Sequence, residues 1–266
     1  MSRTTIASAS NPRIKAAVRL RDRRERDRSG LTIVDGAREL GRALDAGVIV
    51  EEAFVHPPLV RSEDARGVLG RLREREIAIV EVSDTAFEKL AFGDRSDGIV
   101  AIVRAPATGL ETLALPPDPL VVVLEGVEKP GNIGAVLRTA DGAGADALVL
   151  ADPRTDIFNP NAIRASLGTI FTVPIGAGAT PEVRTWLDAH ALRLVAARPD
   201  AELPPWDVDL SGPVAIVLGS EADGLGARWA GGDVTGVRIP MRGAADSLNV
   251  SIAAAVMLYE ARRQRG

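Results

Sequence analysis

The sequence predicts an α/β protein in two blocks, the second built on a mostly parallel sheet. Short apolar runs alternate with helix-period segments, and a proline-dense stretch separates the blocks. The 266 residues, 46% hydrophobic and 26% charged, have the composition of a soluble globular chain long enough for two cores.

The first block, residues 1–106, opens with a basic helix over residues 11–28. Strand Leu31–Val34, helix Ala37–Ala46, strand Val48–Val55, helix Ala65–Arg75, strand Ile77–Glu81, a short helix Thr85–Phe92 and strand Ile99–Arg104 follow. This is a small domain of βαβ type. Between Arg13 and Arg28 eight basic residues face three acidic ones, +5 in sixteen positions on a chain of formal net charge −4. Charge alone allows two readings: a solvated helix with alternating signs, or a phosphate-contacting segment that gains affinity by counterion release.

Pro106, Pro116, Pro117 and Pro119 exclude a regular helix or central strand, so residues 107–119 read as a linker. The second block, residues 120–266, opens on Leu120–Leu124, an apolar run typical of a strand buried on both faces. Strands at Ala147–Leu150, Ile170–Ile175, Leu192–Ala197, Val214–Leu218 and Val237–Pro240 alternate with helices Asn132–Ala140, Asn161–Leu167, Pro181–Ala189 and Leu248–Arg262. That order implies parallel strands with ligand sites at their carboxyl ends.

With no cysteine and only His56 and His190 as imidazoles, metal-free chemistry is expected. The N-terminus lacks the apolar region of a secretory signal, and no apolar run approaches the roughly 18 residues of a membrane span. The expected location is the cytoplasm, with no membrane partner.

Three motifs carry the chemistry. Leu124–Ala145 (LEGVEKPGNIGAVLRTADGAGA) places a glycine-rich turn between a buried strand and a helix. Ile133, Val136, Leu137 and Ala140 form that helix's apolar stripe, and Arg138 points away from it. Asn132 stands at the helix start, where a cap or an anion site is expected. The turn is not a P-loop, because Asn132 and Ile133 follow Gly131 where Lys and Ser or Thr are needed; with Asp152 it resembles a dinucleotide fingerprint only faintly, lacking the leading G-x-G.

In Ala215–Gly226 (AIVLGSEADGLG) a buried strand runs into Gly219, Ser220 and Glu221, which puts a close backbone approach and a carboxylate at a strand end. Ile239–Glu260 (IPMRGAADSLNVSIAAAVMLYE) ends in a buried helix whose N-terminus gathers Asp246, Ser247, Asn249 and Ser251. Asp246 or Ser247 reads as its cap, and the other polar groups ask for a ligand. A serine hydrolase is set aside, since Gly219 to Asp223 is not G-x-S-x-G.

In this order, N-I-G-A-x-x-R-T-A, G-S-E-x-x-G-L and I-P-M-x(6)-L-N-V-S resemble the signature motifs of the SPOUT superfamily, specifically its SpoU/TrmH-type RNA 2′-O-ribose methyltransferases. The resemblance covers the chain from about Leu120 to the end. It implies a C-terminal trefoil knot, a homodimer with shared active sites, and S-adenosylmethionine as methyl donor. It places Arg138, Asn132, Glu221, Ser247 and Asn249 at catalytic positions. The donor falls to Ala197, Leu218, Gly219, Ile239, Met241, Leu248 and Asn249, largely through backbone.

The first block resembles the small α/β/α RNA-binding domain of the ribosomal-RNA branch. This implies that its basic helix and the G-A-R-E-L segment face RNA, with Arg13, Lys15, Arg19, Arg38 and Arg164 as RNA-binding candidates. Large-subunit ribosomal RNA is the expected substrate. Transfer RNA, a noncatalytic assembly role and, more remotely, a nicotinamide-dependent oxidoreductase are the rival readings.

Overall fold

The computed structural model describes residues 5–92, 97–220 and 224–266. The chain forms two compact units, residues 1–106 with 158–172, and residues 107–157 with 173–266.

The first unit contains β1 (Thr5–Ile6), α1 (Pro12–Arg19), α2 (Arg23–Ser29), β2 (Leu31–Asp35), α3 (Ala37–Asp45), β3 (Val50–Val55), α4 (Glu63–Glu74), β4 (Ile79–Val82), α5 (Asp84–Leu90) and β5 (Ile99–Arg104). Its sheet, in the order β1-β4-β3-β5-β2, is parallel from β1 through β3 and antiparallel at β5. Ile14, Ala17 and Leu20 seal one face together with Phe87 and Leu90.

The basic stretch expected as one helix is two. The break falls at residues 20–22, where the Asp22 carboxylate accepts the Arg24 N–H at 2.8 Å and starts a new helix. Charge periodicity continues across the break, which is why sequence pattern alone joined the two.

The second unit contains β6 (Leu120–Glu125), α6 (Pro130–Ala143), β7 (Ala147–Ala151), then, after α7 (Pro160–Ala165) of the first unit, β8 (Ile175–Gly178), α8 (Thr180–Ala189), β9 (Arg193–Ala197), β10 (Val214–Leu218), β11 (Val234–Val237) and α9 (Val250–Arg265). Its sheet is parallel throughout in the order β11-β9-β10-β6-β7-β8. Val121 and Val123 join Val183, Leu187 and Trp229 in one cluster, while the alternate Val122 and Leu124 are buried on the other face. Both faces are covered, as the unbroken apolar run implied. Within the proline-dense stretch, Leu110–Thr112 forms a 3₁₀ turn and Leu113 packs into the same cluster.

The apolar run expected as a strand at Ile170–Ile175 instead begins as a 3₁₀ turn, Thr169–Phe171, buried in the first unit. Gly168 is left-handed at φ +87°, and Pro174 supplies no N–H for a ladder, so pairing starts only at Ile175. The Phe158 and Phe171 rings stack at 6.3 Å, and the Thr32 hydroxyl donates to the Phe158 carbonyl at 2.8 Å.

Candidate active site

Ala197 at the end of β9 pairs with Leu218 of β10 on one side and Val237 of β11 on the other. Three parallel strands therefore end side by side, and the segments leaving them enclose a cavity of about 1130 Å³. Ala197, Leu218, Gly219, Ile239, Met241 and Leu248 all line it, as does Ser247.

Gly219 shows why the second motif needs glycine. The chain folds back so tightly that a Cβ there would lie 2.2 Å from the Gly224 carbonyl carbon and 2.5 Å from the Leu225 nitrogen. The turn is closed by a 3.0 Å bond from the Gly224 N–H to the Ser220 carbonyl. Such a wall presents backbone to the cavity. Glu221 lies outside the described residues.

Asn132 and Asn249 meet away from the cavity lining: Asn249 Nδ2 donates to Asn132 Oδ1 at 3.4 Å, tying α6 to α9. Neither helix starts as the sequence implied. The N-cap position of α6 is Lys129, followed by Pro130, which puts Asn132 at the third helical residue. Proline's fixed φ suits the first helical position and so moved the start forward. The cap of α9 is Asn249, not Asp246 or Ser247; its side-chain oxygen accepts the Ser251 N–H at 2.9 Å. That leaves Ser247 free for the cavity.

Arg138 is exposed and makes no ion pair or hydrogen bond among the described residues. Six positions beyond Asn132, it is rotated by roughly 120° and displaced by about 9 Å along α6. It lies in line with Gly142, above which stands the Tyr259 hydroxyl of α9.

The loop after β9, which the family resemblance places close to the donor, supplies more of the lining than Ala197 alone. Arg198, Pro199, Asp200, Glu202, Pro204 and Trp206 all line the cavity, and three prolines just beyond a strand's carboxyl end were the available signal. Arg198 forks onto Asp200 at 2.9 and 2.7 Å and donates to the Trp229 carbonyl at 3.2 Å. That hydrogen-bonded pairing raises the Arg198 pKa and lowers that of Asp200. Unforeseen is a polar staple behind the loops. Glu125 accepts the Gly226 N–H at 2.9 Å, and the buried Thr180 hydroxyl lies 3.2 Å from Glu125 and 2.7 Å from Asp152.

In the first unit Arg13 is paired with Glu52 at 2.5 Å, whereas Lys15, Arg19 and Arg38 are exposed without ion pairs among the described residues. Arg164 lies 5.8 Å from the Phe92 ring, whose other guanidinium neighbour, Arg21, is at 5.1 Å. Close by, burial pushes the Asp35 carboxyl up to about 6 despite a 2.9 Å bond from the Phe92 N–H and the pull of Arg164 and Arg21.

A parallel sheet with a backbone-walled cavity at its strand ends has the architecture in which α/β proteins bind ligands at the carboxyl ends of their strands. Residues 119–259 match the SpoU rRNA methylase family and residues 11–101 an MRM3-like substrate-binding domain. The 23S rRNA (uridine(2479)-2′-O)-methyltransferase of Streptomyces viridochromogenes is 32% identical, over 92% of this chain and 87% of that one. A crystallised RNA 2′-O ribose methyltransferase superposes with a TM-score of 0.87 at 44% identity, covering 98% and 99% of the two chains. The AdoMet-bound rRNA methyltransferase of Sinorhizobium meliloti gives 0.87 at 30% identity over 98% and 97%. The chain belongs to the SpoU rRNA methylase family. It is an S-adenosylmethionine-dependent RNA 2′-O-methyltransferase.

Proposed function

We propose that the protein methylates a ribose 2′-hydroxyl in large-subunit ribosomal RNA, in the cytoplasm, as a homodimer whose active sites are shared. The observation that carries this reading is the convergence of three strand ends on one cavity, lined by every donor candidate except Asn249. The first unit, with Arg13, Lys15, Arg19, Arg38 and Arg164, grips the RNA. The relatives' action on 23S rRNA supports the substrate class.

The knot is part of this reading. The connection from β9 to β10 reaches past the neighbouring edge strand β11, where Leu203 bridges Val237 and accepts the Arg238 N–H at 2.8 Å. That placement of Leu203 beyond β11 supports a knotted path for the chain that follows. The dimer is supported by α9, which leaves Ile252 and Tyr259 half-exposed seven residues apart on one face, with the Tyr259 hydroxyl over Gly142, one turn beyond Arg138 on α6.

In the reaction the 2′-oxygen attacks the sulfonium methyl carbon, the carbon–sulfur bond breaks, and the hydroxyl proton is released to solvent water. The donor supplies the electrophilic methyl and leaves as a neutral thioether. Arg138 reaches the partner's cavity and acts as a fixed cation that orients a phosphate and stabilises the developing alkoxide. Asn132 and Asn249 hold α6 against α9, while Ser247 and Glu221 position the ribose.

Single-turnover methylation of unmethylated large-subunit rRNA by Arg138→Lys tests the assignment. A rate lowered on the order of 10²-fold, with S-adenosylmethionine affinity by calorimetry unchanged, is expected. An unchanged rate and pH profile would remove Arg138 from the chemistry.

A further inference from the structure

The cavity lies at the upper end of the sizes usual for small-molecule sites. Such sites span roughly 300–1,000 Å³, against about 1130 Å³ here. Its wall carries three arginines of different standing. Arg198 is spent on Asp200 and the Trp229 carbonyl. Arg238 and Arg242 are exposed, line the same cavity, and have no carboxylate within ion-pair distance among the described residues, although Glu202 and Asp246 share the wall.

Their place in the chain is specific. Arg238 immediately precedes Ile239 and Arg242 immediately follows Met241, so the two guanidinium groups bracket the segment assigned to the donor. Four residues of extended chain span at most about 14 Å, within which two long side chains can reach the phosphates on either side of one nucleotide. A guanidinium fork matches a phosphate oxygen pair, and one left without a carboxylate loses no existing partner on binding it.

We infer that Arg238 and Arg242 form the phosphodiester-binding subsite that seats the target nucleotide of the RNA over the methyl donor. The inference rests on the methyltransferase reading above. The same oxyanion chemistry could be met by the donor's own carboxylate, and the experiment separates the two sources.

The intact protein, wild type and with Arg238→Gln and Arg242→Gln singly and together, is titrated with S-adenosylmethionine by calorimetry. Each is then assayed for single-turnover methylation of in vitro transcribed large-subunit rRNA at several KCl concentrations. Expected is an unchanged donor affinity, a rise in the RNA concentration for half-maximal rate, and a salt dependence flattened by about 0.7–0.9 per arginine removed. Weakened donor binding with an unchanged salt slope would assign the pair to the donor's carboxylate and overturn the proposal. So would variants indistinguishable from wild type. If wild type itself binds no S-adenosylmethionine, the underlying methyltransferase reading fails instead.

Discussion

The two sheets keep their units folded by different means. Among the described residues, the buried polar or charged side chains Arg26, Thr32, Asp35, His56, Ser166 and Thr169 all belong to the first unit; the second has only Thr180. Each of the first unit's groups needs a partner: Arg26 Nη1 donates to the Leu20 carbonyl at 2.7 Å, and His56 Nδ1 lies 3.0 Å from the Val82 carbonyl. The second unit relies on aliphatic strands and on loops shaped by close backbone approach. The lesson is that the first unit answers to protonation and hydrogen bonding, whereas the second answers to steric change at its cavity.

The sharpest way to test the steric half is Gly219→Ala. A Cβ directed into Gly224 has no flexible side chain to displace, so the turn must open. Donor binding by calorimetry is expected to fall at least 100-fold, with Tm lowered by only a few degrees because β10 itself is untouched. A donor affinity within threefold of wild type would show that the turn does not shape the cavity.

The protonation half is tested at Asp35. Its folded pKa of about 6 stands above the ordinary 3.8, because burial outweighs the Phe92 N–H and the neighbouring arginines. The fold therefore holds this proton more tightly than the unfolded chain does. The stabilisation is complete below about pH 3.8 and is lost as pH rises through about 6. Relative to Asp35→Asn, wild type should lose up to roughly 3 kcal/mol between pH 4 and 7, since each tenfold difference in proton affinity is worth about 1.4 kcal/mol. Parallel pH profiles of Tm for the two proteins would refute this.

This contrast also explains what the sequence could disclose. The second unit was legible because a strand buried on both faces is an unbroken aliphatic run, and because much of the cavity lining lies in two compact motifs, Ala215–Gly226 and Ile239–Glu260. Its register could not be read, yet only register brings Ala197, Leu218 and Val237 side by side. Helix starts shifted because Pro130 and Asn249 outcompeted the caps expected at Asn132 and Ser247. The first unit was less legible, since its defining contacts join distant residues: Arg21 caps the carbonyls of Lys89, Leu90 and Ala91, and Thr32 reaches Phe158. Nothing in the run of arginines from 19 to 28 distinguishes those committed to the fold from those left for a partner.

That distinction is where the smallest effects are expected. Lys15 and Arg19 are exposed on α1, whereas Arg26 is buried under the same charged stretch. Removing both exposed charges, Lys15→Gln with Arg19→Gln, should leave Tm within a degree of wild type. The salt dependence of rRNA binding should flatten by about 0.7–0.9 per charge, a few-fold loss of affinity at moderate salt. Arg26→Gln should do the opposite, costing about 1–3 kcal/mol by stranding the Leu20 carbonyl while leaving the salt slope alone. If Lys15 and Arg19 change nothing, the basic segment is a solvated helix after all, and the first unit holds RNA by another face.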